Sequence, residues 1–160
     1  MNELEKIIAE VEEQEKTLLF DSFGSEAALE IGMLLVERAK TEKLAVTVDV
    51  TKGGQVLFHH ALEGTSPDND QWVRRKNATV YRFFKSSYRF GLRLKNIGMT
   101  LQQRYGVSEA DYCVWGGAFR VTVRGVGVVG SVTVSGLSEE DDHGLVVWAI
   151  REYLGKRKNV

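Results

Sequence analysis

Apolar residues recur along this chain with two alternating periods, and the switches between them mark out its elements. Leu4, Ile7, Ile8 and Val11 fall three or four positions apart among Glu3, Glu5, Glu10, Glu12, Glu13 and Glu15. That spacing predicts a helix with one apolar stripe and an acidic back. Ser22 to Ser25 breaks the pattern and supplies a cap, after which Ala27, Ala28, Ile31, Leu34 and Leu35 predict a second helix ending near Lys40. Leu44, Val46, Val48 and Val50 then alternate with Ala45, Thr47, Asp49 and Thr51, which is the two-residue period of a strand. Lys52-Gly53-Gly54 turns the chain into Gln55 to Leu62, so the two segments read as a hairpin. Ser66-Pro67-Asp68 opens a helix over Asp68 to Ser86. Another follows from Tyr88 or Arg89 to about Tyr105, with Phe90, Leu94, Ile97 and Leu101 on its stripe and Gly106 at its end.

The last third repeats the hairpin. Phe119, Val121 and Val123 alternate with Arg120, Thr122 and Arg124; Gly125 to Gly127 supplies the turn, and Val126 to Val134 is β-branched at almost every other position. Ser138 followed by Glu139, Glu140, Asp141 and Asp142 is a helix start, a hydroxyl cap with carboxylates at the positive end of the dipole. Leu145, Val146, Ala149 and Ile150 carry that helix to about Tyr153, and Gly155 with Lys156, Arg157 and Lys158 forms its stop. The predicted order is α-α-β-β-α-α-β-β-α, with Tyr112 to Trp115 as a possible fifth strand. Two hairpins each fix an antiparallel neighbour, which favours an α+β fold, one antiparallel sheet of four to five strands flanked by helices, over a parallel βαβ architecture.

Composition limits what this fold can be. At 160 residues, 43% hydrophobic and with one proline, the chain supports one substantial core, so residues 1–160 read as one domain. The longest wholly apolar run, Leu145 to Ile150, falls far short of the roughly 20 residues that cross a bilayer. With an acidic amino terminus, this points to a cytoplasmic protein rather than a secreted or membrane one. Cys113 is alone and cannot form an intramolecular disulfide; between Tyr112 and Val114 it reads as a packed thiol.

Charge is balanced in total, at −1, and lopsided in distribution. Residues 1–30 carry nine acidic and two basic side chains, whereas residues 71–105 carry nine basic and no acidic ones, interleaved with aromatics such as Trp72, Tyr81 and Phe83. Such a mixture can bind nucleic acid. The pattern favours instead a basic helix neutralised by an acidic one of the same or a neighbouring subunit, or a site for a small anion. Arg74, Arg75 and Lys76 are the sharpest subset, because guanidinium forks match carboxylate or phosphate oxygens.

Other candidate chemistry is sparse. His59 and His60 are strand neighbours pointing to opposite faces, so they do not chelate one metal, and no metal site is assigned. His143, in the first turn of the last helix, is placed to share a proton with Glu139 four residues earlier. Asp142 and His143 are the acid/base candidates, with no nucleophile identifiable beside them. Gly116-Gly117 offers either backbone N–H groups to an anion or room for close approach of another backbone. The GxGxxG match at residues 125–130 enters a strand rather than leaving one, which excludes a dinucleotide fingerprint.

Gly116-Gly117, the run from Val126 to Leu137 (Val-Gly-Val-Val-Gly-Ser-Val-Thr-Val-Ser-Gly-Leu), Asp141 to Val147, Trp72 to Lys76 and Phe83 to Ser87 together resemble the HbpS and GlcG type, the haem-degrading-domain family, in its small cytosolic uncharacterised branch. The resemblance implies a profilin-like or PAS-like domain in which the two hairpins meet at the sheet centre. It also implies homo-oligomers, expected to be larger than a dimer. Haem enters as a cofactor by this resemblance only, with no iron ligand assigned. The leading expectation is therefore an oligomeric binding module for haem or a small anion, with Arg74, Arg75, Lys76, Gly116, Gly117 and Arg120 as ligand-binding candidates and a pocket near Gly116, Gly117, Arg120, Asp142 and His143. An enzyme acting on a small anionic metabolite through His143 and Asp142, and an interaction scaffold without chemistry, are the alternatives. The balance lies against an enzyme, and nucleic acid and membrane are disfavoured as partners.

Overall fold

The computed structural model describes residues 1–158. Its elements are α1 (Glu3–Thr17), α2 (Ser25–Glu42), β1 (Thr47–Lys52), β2 (Gln55–Ala61), α3 (Pro67–Phe83), α4 (Ser87–Ile97), α5 (Leu101–Tyr105), β3 (Ala118–Val123), β4 (Gly127–Ser135) and α6 (Glu139–Lys158). The strands form one antiparallel sheet in the order β2-β1-β4-β3, so the two hairpins do meet at its centre. This is the expected α+β architecture, with four strands.

Register decides which side chains share a face. Val48 lies opposite Val134, Val50 opposite Val132 and Phe119 opposite Val132. Their common face packs against Ile31 and Leu35 of α2 and Val146 and Ile150 of α6 in the main apolar core. Gly32 lets α2 approach the sheet there, since a Cβ on it would stand 2.4 Å from the Phe58 ring. Thr47 opposite Ser135, Asp49 opposite Thr133 and Thr51 opposite Ser131 form the other face, which is polar and equally buried. Side chains of α3 bond to it: Asn77 Nδ2 donates to Asp49 Oδ1 (3.0 Å), Ser131 Oγ donates to Asn77 Oδ1 (2.9 Å), and Thr51 Oγ1 lies 2.5 Å from the Tyr81 hydroxyl.

The sheet has one covered edge and one open edge. Beyond β3, Phe20 N donates to Thr122 O and Arg124 N to Phe20 O, both at 2.9 Å, so the segment after α1 continues the ladder. On the far side, among the described residues, β2 pairs with β1 alone, and a strand edge of that kind presents unpaired backbone groups.

Boundaries differ most from the sequence expectation at four places. The helix predicted to Ser86 stops at Phe83, because Phe84 takes a left-handed φ of 54° as its cap. The helix predicted through Tyr105 breaks at Gly98 (φ 68°) and restarts at Leu101, with Thr100 Oγ1 accepting from Gln103 N. The possible strand at 112–115 is irregular, because Cys113 N and O both bond to Thr79 Oγ1 (3.0 and 2.8 Å) rather than to a ladder. Finally, α6 runs through Gly155 to Lys158 instead of stopping near Tyr153.

Part of the lopsided charge is paired within the chain. Glu15 of α1, 2% exposed, accepts from Ser86 N and pairs with Arg89, each at 2.8 Å, with Arg120 Nε 3.7 Å away. Glu12 pairs with Arg93 and Arg89, and the Arg93 hydrogen bond holds its carboxyl below the usual range against a smaller opposing effect of burial. Among the described residues no helix is long and apolar enough to cross a membrane.

Candidate functional site

At one end of the polar face, the first half of α3, the 115–117 loop and the β4–α6 turn enclose a cleft of about 530 Å³. Its floor is an ion pair. Lys76 reaches from α3 to place Nζ 3.0 Å from Asp142 Oδ2 and 3.1 Å from Val134 O, with the two side chains 4% and 3% exposed. Asp142, in the first turn of α6, also accepts from Leu137 N (2.9 Å) and Gly136 N (3.3 Å), which ties the turn to the helix. Burial pushes its carboxyl above the ordinary aspartate value even though Lys76 and both backbone N–H groups pull the other way.

Glycine is required at the cleft for space. Gly117 has φ +140°, and a Cβ on it would stand 2.5 Å from Lys76 Nζ; a Cβ on Gly116 would stand 2.6 Å from Glu139 O. Gly116 N donates to Glu139 Oε1 at 3.4 Å, and burial, partly offset by this bond, raises the Glu139 carboxyl. Two indoles complete the walls. Trp72 donates from Nε1 to Asp68 Oδ2 (3.2 Å), with the Arg75 guanidinium 4.2 Å over its ring; Trp115 is 51% exposed.

The residues singled out from the sequence separate into two groups. Lys76, Gly116 and Asp142 line the cleft, and Gly117 abuts the Lys76 amine. Arg74 and Arg75 do not line it: Arg74 donates to Gln71 Oε1 and Ala110 O, both at 3.0 Å, and Arg75 donates to Glu109 O at 3.3 Å, so this pair braces the 108–112 segment. Arg120 lies elsewhere, donating to Phe84 O (3.0 Å) beside Glu15.

His143 also points away from the cleft. Its Nε2 lies 2.7 Å from Gln14 Oε1, not against Glu139, and its ring is packed by Tyr88 and Phe119 at 4.9 and 5.8 Å. A carboxamide oxygen only accepts, so Nε2 carries the proton and buried Nδ1 is left without a partner among the described residues. Burial, with a smaller push from Arg151, lowers its pKa to about 4. The expected Asp142–His143 acid/base couple is thus split, one member facing Lys76 and the other Gln14. Cys113 is buried, and burial raises its thiol, as suits a packed side chain.

Sequence reasoning passed over Trp115, Ser138 and Asn69, which line the cleft, and the polar face behind them. The available signal was polar residues at alternate positions of two strands, Thr47-Asp49-Thr51 and Ser131-Thr133-Ser135.

The donor set bears on haem. The cleft lining contains no histidine, cysteine or methionine, and the Lys76 ammonium, paired with Asp142, has no lone pair to offer a metal. Both ring nitrogens of His59 contact carboxylates, and His143 is 4% exposed. The residues at the cleft therefore do not fit axial ligation of iron.

Comparison with known proteins bears on the whole chain. The family described as "Haem degrading protein HbpS-like" matches residues 23–151. The UPF0303 protein SCO2848 of Streptomyces coelicolor is 45% identical over 149 residues, covering 93% of this chain and 94% of that one. Among solved structures, that of the Ybr137w protein superposes with a TM-score of 0.87 at 26% identity, over 96% of this chain and 94% of the other. That of HbpS does so with 0.65 at 25% identity, over 86% and 94%. With that family matching residues 23–151 and a relative 45% identical over 93% of this chain, the chain belongs to the HbpS-like family.

Proposed function

We propose that the protein is a cytoplasmic, homo-oligomeric binding module whose ligand is a planar anion held in the cleft above Lys76 and Asp142. One observation carries this reading. An ammonium group has three donors, and the two polar contacts of buried Lys76 Nζ are Val134 O and Asp142 Oδ2. A third N–H therefore remains for a ligand oxygen at the floor of a cleft walled by two indoles, whose faces favour a flat, conjugated partner. Haem, a planar ring with two carboxylates, belongs to this class by its chemistry, and the family description names it. On this reading it is held through its rim and ring face, without an axial ligand from the cleft. The open β2 edge supports self-association.

The test uses Trp148→Phe protein, so that indole fluorescence reports Trp72 and Trp115 alone. Benzoate, phenyl phosphate and haemin are titrated, haemin by its Soret band. Saturable binding of at least one is expected, lost in Lys76→Met and weakened about fivefold in Trp115→Ala, the equivalent of about 1 kcal/mol of ring contact. Trp115 is exposed, so its variant is informative even where Lys76→Met fails to fold. Absence of binding, or binding indifferent to both substitutions, contradicts the reading. Sedimentation of the same samples tests the assembly, and a monomer across the working concentration range rules it out.

A further inference from the structure

His59 joins three elements. It projects from β2 onto the polar face, opposite Asp49 of β1, and reaches Asp70 in the first turn of α3. Its Nδ1 lies 2.8 Å from Asp49 Oδ2 and its Nε2 lies 3.0 Å from Asp70 Oδ1. A neutral imidazole has one donor and a carboxylate has none. Both contacts are hydrogen bonds together only when the ring carries two protons, so the geometry fits imidazolium.

The two carboxylates are held unequally. Asp49 is 4% exposed in its side chain and also accepts from Asn77, whose own carbonyl takes the Ser131 and Thr133 hydroxyls. Asp70 is 47% exposed, and His59 is its side-chain partner. When the ring loses one proton, the buried Asp49 bond is the one retained, and Asp70 is released to water. Asp70 lies two residues before Trp72 and six before Lys76, on the helix whose first half walls the cleft.

We propose that His59 is a positioning residue whose protonated ring clamps the first turn of α3 to the open side of the sheet, so that anion binding in the cleft weakens when the ring is deprotonated. The clamp rests on the reading of the cleft as the ligand site. Asp49 from β1 and Asp70 from α3 are the titratable groups within ion-pair distance of the ring among the described residues. Burial of the ring opposes its charge, but the hydrogen bonds and charges of Asp49 and Asp70 outweigh burial and raise the imidazolium above its ordinary value. The sign follows: the clamp is closed below that raised value and opens as pH rises through it.

Nuclear magnetic resonance tests this on the intact protein, over about pH 5.5 to about pH 9, which brackets an ordinary histidine. His59 is expected to titrate above its ordinary value, with the Trp72 indole N–H and the amides of residues 69–76 shifting at the same midpoint. Asp70→Asn, at an exposed position, is expected to lower that midpoint and uncouple Trp72 from it. Affinity for benzoate should fall about fivefold across the transition in the unsubstituted protein, a modest coupling, and stay flat in Asp70→Asn. A Trp72 signal that ignores the His59 midpoint, or a His59 midpoint at or below the ordinary value, overturns the clamp. If benzoate binds but its affinity does not follow the transition, the clamp fails and the cleft reading stands. If Trp72 follows His59 and no anion binds at any pH, the cleft reading fails and the coupling stands.

Discussion

On one face of the sheet Val48, Val50, Val132 and Val134 are 0% exposed; on the other Ser131 and Thr133 are also 0% exposed and Asp49 is 3%. The two faces are equally dry and are held by different physics. Valine against α2 and α6 is stabilised by area removed from water, roughly 25 cal/mol per Å², a force without direction. The hydroxyls, Asp49 and Asn77 under α3 gain little net from each hydrogen bond, yet any one left unmade in the same dry layer is costly. Burial alone thus does not separate scaffold from site. What distinguishes the face that ends in the cleft is that its residues must be oriented to be satisfied, and oriented polar groups recognise ligands.

The largest test of that contrast is the ion pair. Asp142→Ala leaves the Lys76 charge buried and uncompensated, and urea denaturation is expected to show a loss of about 3–5 kcal/mol. The double replacement Lys76→Met with Asp142→Asn should recover most of it, since it removes both charges and keeps an amide oxygen to accept from Leu137 N. A double variant no more stable than Asp142→Ala would show that the pair contributes something beyond mutual compensation.

Next in size is acid sensitivity. The pKa of His143 is about 4 when folded, against an ordinary 6.5. Its contribution is therefore complete above about 6.5 and is lost as pH falls towards 4, by about 3 kcal/mol in all at 1.36 kcal/mol per unit. His143→Phe should flatten that limb in thermal denaturation at stepped pH. An unchanged slope would assign acid sensitivity to other groups.

Exchanging chemistry between the faces comes third. Val134→Thr places a hydroxyl in the apolar core and is expected to cost about 1–3 kcal/mol. Thr133→Val removes one of two hydroxyl donors to Asn77 Oδ1, for about 1 kcal/mol. Equal tolerance of both changes would erase the distinction. The smallest effect belongs to the surface: Arg93→Ala, which removes an ion pair to Glu12 from a half-exposed side chain, should change stability by under about 1 kcal/mol and fade with salt.

Much of the framework was legible because its signals are local. The period-two runs Val46-Val48-Val50 and Phe119-Val121-Val123, each beside a glycine turn, need no tertiary information to read as hairpins. The meeting of β1 with β4 followed from resemblance, since pairing between distant strands leaves no local trace. The break at Gly98 was hidden because the apolar stripe runs through it, and only the left-handed cap ends the helix. Alternation showed that Asp49 and Thr133 oppose their valine neighbours. It could not show that α3 would cover them, and so the buried polar face was missed.

The candidate site divided on helical geometry. Arg74, Arg75 and Lys76 are adjacent in sequence but stand about 100° apart around α3, so one reaches the cleft and two brace a loop. The same rotation separates Asp142 from His143. Chemistry could be named from residue type, but which member of each run faced inward depended on packing.

The most direct test of the central claim, that the polar end of the sheet and not the basic surface receives the ligand, is a titration with phenyl phosphate followed in two-dimensional ¹H–¹⁵N spectra. Saturable shifts are expected, concentrated at the amides of residues 115–117 and 136–139 and at the Trp115 indole. Shifts scattered over the exposed basic residues of α4, Arg93 and Lys95, or none at all, would contradict it.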